Sequence, residues 1–319
     1  MKAKLFLCLT FFILSSSVNA DDFVTLVSSG AGNLQLTDDA LMATKLRVEG
    51  HIDARDFETL KKVTINRTRV LDLSNAVIDA YKGYGCYAKI TSSNYVYDIE
   101  IDYAANELPQ HAFVEARDNS LGSKWHAGSA SLCELILPKS LTGISPGAFI
   151  DCKALSKVYT KDGSELLSEN DAIVYTKDKK RLVQVAPGYC GSFEVPSSVT
   201  IIDSCALMDA TFSYLRFKSG KLPKIYNSSL VNAAYIIAID AADCAIAFPE
   251  ADCVESIETM TVNNVQSGTL LETIGNKGYT RKNVRSVTVT GTLNADDISA
   301  LCSLPNLYYA DLSGARIAS

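Results

Sequence analysis

His51, His111 and His126 are the only imidazoles in 319 residues, and their spacing offers little chemistry. None lies in the His-x-x-x-His or Cys-x-x-His arrangement that would hold zinc, and no serine stands in a Gly-x-Ser-x-Gly elbow. Asp98, Glu100 and Asp102 alternate with Ile99 and Ile101, which puts three carboxylates on one face of an expected strand. Such a ladder offers oxygen ligands to Ca²⁺, yet no loop of calcium-binding spacing accompanies it, and a solvated acidic face explains it better. Asp21-Asp22 and Asp296-Asp297 are adjacent pairs whose side chains diverge, so neither makes an acid–base dyad. No catalytic residue, metal site or cofactor is expected.

Recognition by aromatic side chains is the chemistry the chain does offer. Tyr81, Tyr84, Tyr87, Tyr95, Tyr97 and Tyr103 fall within one short segment, and Trp125 lies in a Gly- and Ser-rich stretch, 119–131, that reads as a loop. Tyrosine gives a large rigid contact area with a polar tip, which suits binding. Two readings stand side by side: a ligand-binding face made by Tyr84, Tyr87, Tyr95, Tyr97, Tyr103 and Trp125, or a β-hairpin packing its own tyrosines with Trp125 partly buried against the adjoining turn. The run Lys177 to Arg181 similarly reads either as a solvated turn or as a contact for an anionic glycan.

The elements that must carry these residues are repetitive. The pattern Ile-x-x-x-Ala-Phe recurs, with substitutions, at Leu108–Phe113, Ile144–Phe149, Ile202–Leu207 and Ile225–Leu230. A unit near 23 residues, with insertions, accounts for the spacings, and a fixed period of that size means stacked turns that each contact their neighbours. In the clearest unit Leu135 and Leu137 alternate as a half-buried strand, Pro138 ends it, and Ala148-Phe149 turns the chain back inside. Phe193 to Leu207 repeats it, with Pro196, Ser198 and Thr200 standing where Pro138, Ser140 and Thr142 stand. One such turn buries about six apolar side chains, worth roughly 10–15 kcal/mol. Fixing its backbone costs on the order of 25–45 kcal/mol, so a lone turn cannot fold. Between the two copies, Ile173-Val174-Tyr175 and Leu182 to Val185 flank a polar tip and read as a β-hairpin inserted near 171–187.

A second repeat brackets the array. Leu46 to Phe57, closing at Leu71-Asp72-Leu73-Ser74-Asn75-Ala76, is matched by Val287 to Ile298, closing at Asp311-Leu312-Ser313-Gly314-Ala315. Each reads as strand, capped helix, strand, with Asp53 and Asn294 as the caps.

Lys2, Lys4, the apolar run Leu5 to Leu14 and Val18-Asn19-Ala20 read as an export signal over residues 1–20, too short to span a bilayer. Its removal would take the formal charge from −6 to −8. That acidity disfavours nucleic acid as a partner. Eight cysteines would remain, none in Cys-x-x-Cys spacing, and mostly unpaired thiols are expected in a chain long enough to build its own core. The expected organisation is a signal at 1–20, an N-terminal bracket with its Tyr-rich insertion at 21–105, the array at 106–260 and a C-terminal bracket at 261–319.

The Leu-Pro-x-Ser-Leu-Thr-x-Ile-x-x-x-Ala-Phe-x-x-Cys unit (137–152), Gly50-x-Ile52-Asp53-Ala54-x-Asp56-Phe57 and Asp72-Leu73-Ser74-Asn75-Ala76 together resemble the BspA-type leucine-rich-repeat proteins of Bacteroidetes-like anaerobes. The likeness spans most of residues 30–317. It implies a strand-rich α/β fold, a right-handed leucine-rich-repeat solenoid with short helices or turns on the return side. It also implies export to the periplasm, outer surface or medium, and adhesion to a protein, host matrix proteins among them, or to a glycan. It brings no catalytic residues to carry over. The chain departs from the pattern in having only about five or six turns, and in having no new array after its second bracket. That bracket either caps the array or leaves an edge open for self-association.

Overall fold

The computed structural model of the chain describes residues 23–318 apart from 87–88, 93–94, 99, 119–123, 220, 227–230, 234, 239–240, 249–251, 255–258, 283, 306 and 308. Backbone alone is described at 89–92, 95–98, 116–118, 124–126, 235, 241–242, 252, 254 and 259. The expected export signal lies outside the described residues. Among them, no helix is long and apolar enough to cross a membrane.

Strands dominate, and most pair in parallel with the strand one turn away. Val24–Val27, Lys45–Ile52, Val70–Ile78, Glu134–Ile136 and Lys157–Tyr159 form one parallel sheet in that order. Its register sets Leu46, Leu71, Leu135 and Val158 side by side, all fully buried. A second parallel run follows in Cys190–Val195, Thr211–Phe217, Tyr235–Ile237 and Asp252–Val254, with Phe193, Leu215, Ile236 and Cys253 aligned. Elsewhere short strands pair Leu108 with Ile144, Leu182 with Ile202, and Ile202 with Ile225. Each turn therefore contributes apolar side chains to two stacks, the arrangement in which a turn too weak to fold alone draws on its neighbours.

The Ala-Phe motif has one backbone conformation wherever it is described. The residue before the alanine is left-handed in all three copies: His111 (φ 59°), Gly147 (φ 77°) and Cys205 (φ 64°). The following alanine N–H donates to the carbonyl three residues back, at Pro109, Ser145 and Asp203, over 3.2, 3.2 and 3.1 Å. This turn drives Phe113, Phe149 and Leu207 into the core. Phe113 stacks on Phe149 with centroids 5.7 Å apart and meets Phe57 edge-on at 5.9 Å. In the fourth copy Ile225 occupies its aligned place, while 227–230 fall outside the described residues.

The segment expected as an inserted hairpin is more than an insertion. Leu166–Glu169, Ile173–Thr176 and Arg181–Val185 form an antiparallel meander, and its last strand continues in parallel to Ile201–Ile202. The stretch 119–131, read from sequence as a loop, also differs: Lys124–Gly128 is a strand paired antiparallel with Val114–Asp118. Its polar composition concealed a local pairing partner just upstream.

Asp53 and Asn294 cap the helices Ala54–Thr64 and Ala295–Cys302, each within a reciprocal capping box closed by Asp56 and Asp297. Around the second helix, Thr259–Asn264, Ser286–Leu293 and Tyr309–Ile317 form a parallel sheet with its own core of Met260, Val262, Leu270, Val287, Val289 and Leu293, distinct from the main one.

Candidate binding surface

Among the tyrosines whose side chains are described, Tyr84 and Tyr103 have different surroundings. Tyr103 is only 8% exposed and stacks on Tyr81 at 6.3 Å, its strand Ile101–Tyr103 pairing antiparallel with Tyr81–Gly83. Tyr103 is therefore packed against Tyr81 and buried, not open to a ligand as the sequence reading expected. Arg55 caps the other side, 4.4 Å from the Tyr81 ring centroid. Tyr84 is 55% exposed and remains available. Tyr95 and Tyr97 sit on the strand Tyr95–Asp98, paired with Lys89–Ser92, but their side chains lie outside the described residues, as do Tyr87 and the side chain of Trp125.

The acidic ladder is also broken up. Asp98 ends one strand and Asp102 sits in the next, where it faces Lys82 at 3.4 Å, so the three carboxylates do not share a strand. The cationic tip of the meander is committed to ion pairs: Lys177 with Glu165 at 3.3 Å, Lys179 with Glu169, and Arg181 with Asp203 at 2.5 Å. Among the described residues no group of three His, Cys, Asp or Glu side chains could hold a metal ion.

The outer face of the first sheet is a polar lattice. Asp72, fully buried, accepts from Arg47 at 3.1 Å and Lys161 at 2.9 Å, and its other oxygen takes the Ser74 N–H at 2.9 Å. Burial works to raise its pKa, but Lys161, Ser74 and Arg47 outweigh it and bring the carboxyl down to about 2. Beside it the Tyr159 hydroxyl donates to Glu134 at 2.7 Å, while Arg47 also lies over the Phe23 ring. Opposite charges one strand apart fix the register and leave a stiff surface whose ions satisfy each other.

A cleft of about 320 Å³ opens across neighbouring turns near the starts of the strands 190–195 and 211–217. It is lined by Lys153, Gly188, Tyr189, Asp209, Thr211 and Asn232, together with Pro187 and Cys190. That size is at the lower end of the range for small-ligand sites. The Tyr189 ring leans on Phe212 at 5.8 Å and its hydroxyl donates to Ser192 O, which fixes this wall. Asn232 donates to Thr211 Oγ1 at 3.3 Å. Burial pushes the Asp209 carboxyl above its ordinary value, although the Asp151 N–H donates to it at 2.7 Å and partly compensates. Gly188 lets two turns meet, since a Cβ there would stand 2.7 Å from Lys153 O.

Sequence reading passed over this cleft because its residues are far apart along the chain and belong to no motif. One signal was present. Asp151 and Asp209 hold the same place two residues after Phe149 and Leu207, and both are left-handed, with φ of 57° and 64°. A polar residue repeated at a turn position marks one edge of the stack.

No protein-family model and no curated protein matches this chain. Among solved structures it is similar to a leucine-rich repeat protein from Eubacterium ventriosum, at 12% identity over 94% of this chain and 92% of that one, with a TM-score of 0.28. It is also similar to the pneumococcal vaccine antigen PcpA, at 13% identity over 93% of this chain and 69% of that one, with a TM-score of 0.30. At those scores the likeness decides nothing, and the fold rests on the strand pairing described above.

Proposed function

We propose that this chain is an exported, non-enzymatic binding module of the BspA-like leucine-rich-repeat type, a right-handed solenoid that presents its turns to a protein or glycan outside the cytoplasm. The observation that carries the reading is the cleft built from consecutive turns, with polar and apolar groups both on its walls. Stacked turns give a large fixed surface with little entropy left to lose on binding, which favours recognition. Lys153, Asp209, Thr211 and Asn232 offer both donors and acceptors, and Tyr189 adds an aromatic edge. The exposed Tyr84 and the hairpin bearing Tyr95 and Tyr97 form a second candidate surface.

The purified chain is to be screened on an array of glycans and matrix proteins. Any ligand found is then tested against Lys153→Ala with Asn232→Ala, and separately against Tyr95→Ala with Tyr97→Ala. Loss with the first pair places binding in the cleft, and loss with the second places it on the hairpin. Retention by both variants, or turnover of an arrayed substrate, overturns the proposal.

A second reading, self-association, is favoured by one observation. Among the described residues the strand Tyr309–Ile317 pairs only with Ser286–Leu293, and its Tyr309 and Ile317 are 41% and 68% exposed.

A further inference from the structure

We propose that Cys244 and Cys253 are a disulfide-forming pair that fastens the last turn of the main core when the chain meets an oxidant of the disulfide class. Cys244 lies in the helix Ala241–Ala247 and is fully buried; Cys253 is the middle residue of the strand Asp252–Val254 and is partly buried against the same core. Their sulfurs are 2.9 Å apart, the Cys244 thiol donating to the Cys253 sulfur. An S–S bond is about 2.05 Å long, so closure needs a movement of under about 1 Å. Three other thiols are turned to backbone oxygens: Cys86 to Ala54 O at 3.1 Å, Cys133 to Ser131 O at 3.2 Å and Cys152 to Phe113 O at 3.5 Å.

The location gives the link a purpose. Cys253 pairs with Ile236, which pairs with Leu215, so its strand ends the second parallel run. The next strand, Thr259–Asn264, belongs to a separate sheet and core. A terminal turn has a neighbour on one side only and opens most readily. A covalent tie between its helix and its strand resists that opening.

With oxidised glutathione the steps balance. The more exposed Cys253 loses its proton to solvent and attacks one glutathione sulfur, forming a mixed disulfide and releasing the first glutathione thiolate. Cys244 then loses its proton and attacks the Cys253 sulfur, expelling the second glutathione thiolate. Two protein thiols are oxidised to one disulfide, and one glutathione disulfide is reduced to two thiols. Burial, and then the adjacent Cys253, raise the Cys244 thiol above its ordinary pKa, so it is the less reactive of the two toward the external oxidant.

The test uses the full chain, reduced, exposed to oxidised glutathione, quenched in acid and mapped by mass spectrometry. Trypsin leaves both cysteines in one fragment, because no Lys or Arg lies between Lys224 and Lys277. A Glu-specific protease then cuts after Glu250, between them. The two pieces are expected to remain joined, two hydrogens lighter than their sum, and to separate on reduction. This link should exceed any other cysteine pairing several-fold, and Cys244→Ser should trap glutathione on Cys253. Pieces that separate without reduction, or a more abundant link elsewhere, overturn the proposal.

Discussion

Asp56 and Asp297 are the same device at the two ends of the chain. Asp56 accepts backbone N–H groups from Asp53, Gly32 and Leu34 at 2.8, 2.7 and 2.8 Å. Asp297 accepts them from Asn294, Gly268 and Leu270 at 3.1, 2.7 and 3.0 Å. Each carboxylate is 1% exposed, closes a capping box, and ties the helix to the loop one turn before it. The likeness extends to a register shift in the strand pair that flanks each helix, at Arg47/Glu49 and Thr288/Thr290. The two brackets are thus one structural unit used twice.

Removing either carboxylate leaves three backbone donors without their acceptor. Asp56→Ala and Asp297→Ala should each cost about 3 kcal/mol, with the effect kept local because the two cores are separate. Amide exchange read by mass spectrometry should speed up across 45–78 in the first variant and across 259–317 in the second. Uniform acceleration along the whole chain in either one would contradict the separation.

Asp72 sets an acid limit. Its folded pKa of about 2 lies below the unfolded value near 3.9, so its contribution is fully present above the unfolded value and is lost as pH falls toward 2. The shift corresponds to at most about 2.6 kcal/mol. Urea unfolding at pH 7 and at pH 2.5 should therefore show a larger loss in the parent than in Asp72→Asn. An equal loss in both would remove Asp72 from the account.

Gly50 and Gly291 hold the equivalent bend of the two brackets, with φ of 87° and 92°. A Cβ would stand 2.9 Å from Ser28 O in the first and 2.3 Å from Asn264 O in the second. Alanine at either site should destabilise by about 2–3 kcal/mol, combining left-handed strain with a backbone clash. Gly163→Ala, at φ 84° with open space around it, should cost only about 1 kcal/mol. Thermal midpoints should rank Gly163→Ala as the mildest of the three.

Tyr103 and Tyr84 should part company under mutation. Tyr103→Ala opens a cavity beneath Tyr81 and should cost about 3 kcal/mol, seen as a lower unfolding midpoint. Tyr84→Ala, at an exposed position, should change stability by less than about 0.5 kcal/mol. Any effect of Tyr84→Ala on capture of an arrayed ligand would then report binding alone.

The edge strand gives the test of self-association. If a second copy pairs with Tyr309–Ile317, Ile317→Lys should lower the sedimentation-average mass of the concentrated chain while leaving its circular dichroism unchanged. A parent that sediments as a monomer over the same range retires that reading.

Sequence alone determined the local grammar. The period-two apolar residues around Leu135, the proline that stops that strand, and the helix caps Asp53 and Asn294 are all fixed by chemistry within a single turn. That chemistry is short-range, so it is legible in one dimension. Tertiary structure decided the rest. It placed Tyr103 inside and left Tyr84 outside, turned a polar loop into the strand that carries Trp125, and committed the lysines of the meander tip to carboxylates on the neighbouring strand and turn. It also gathered Lys153, Tyr189, Asp209 and Asn232 into one cleft and brought two sulfurs together. The reason is physical: exposure, ion pairing and cavity shape depend on which turn lies beside which, and that adjacency is set when the turns stack.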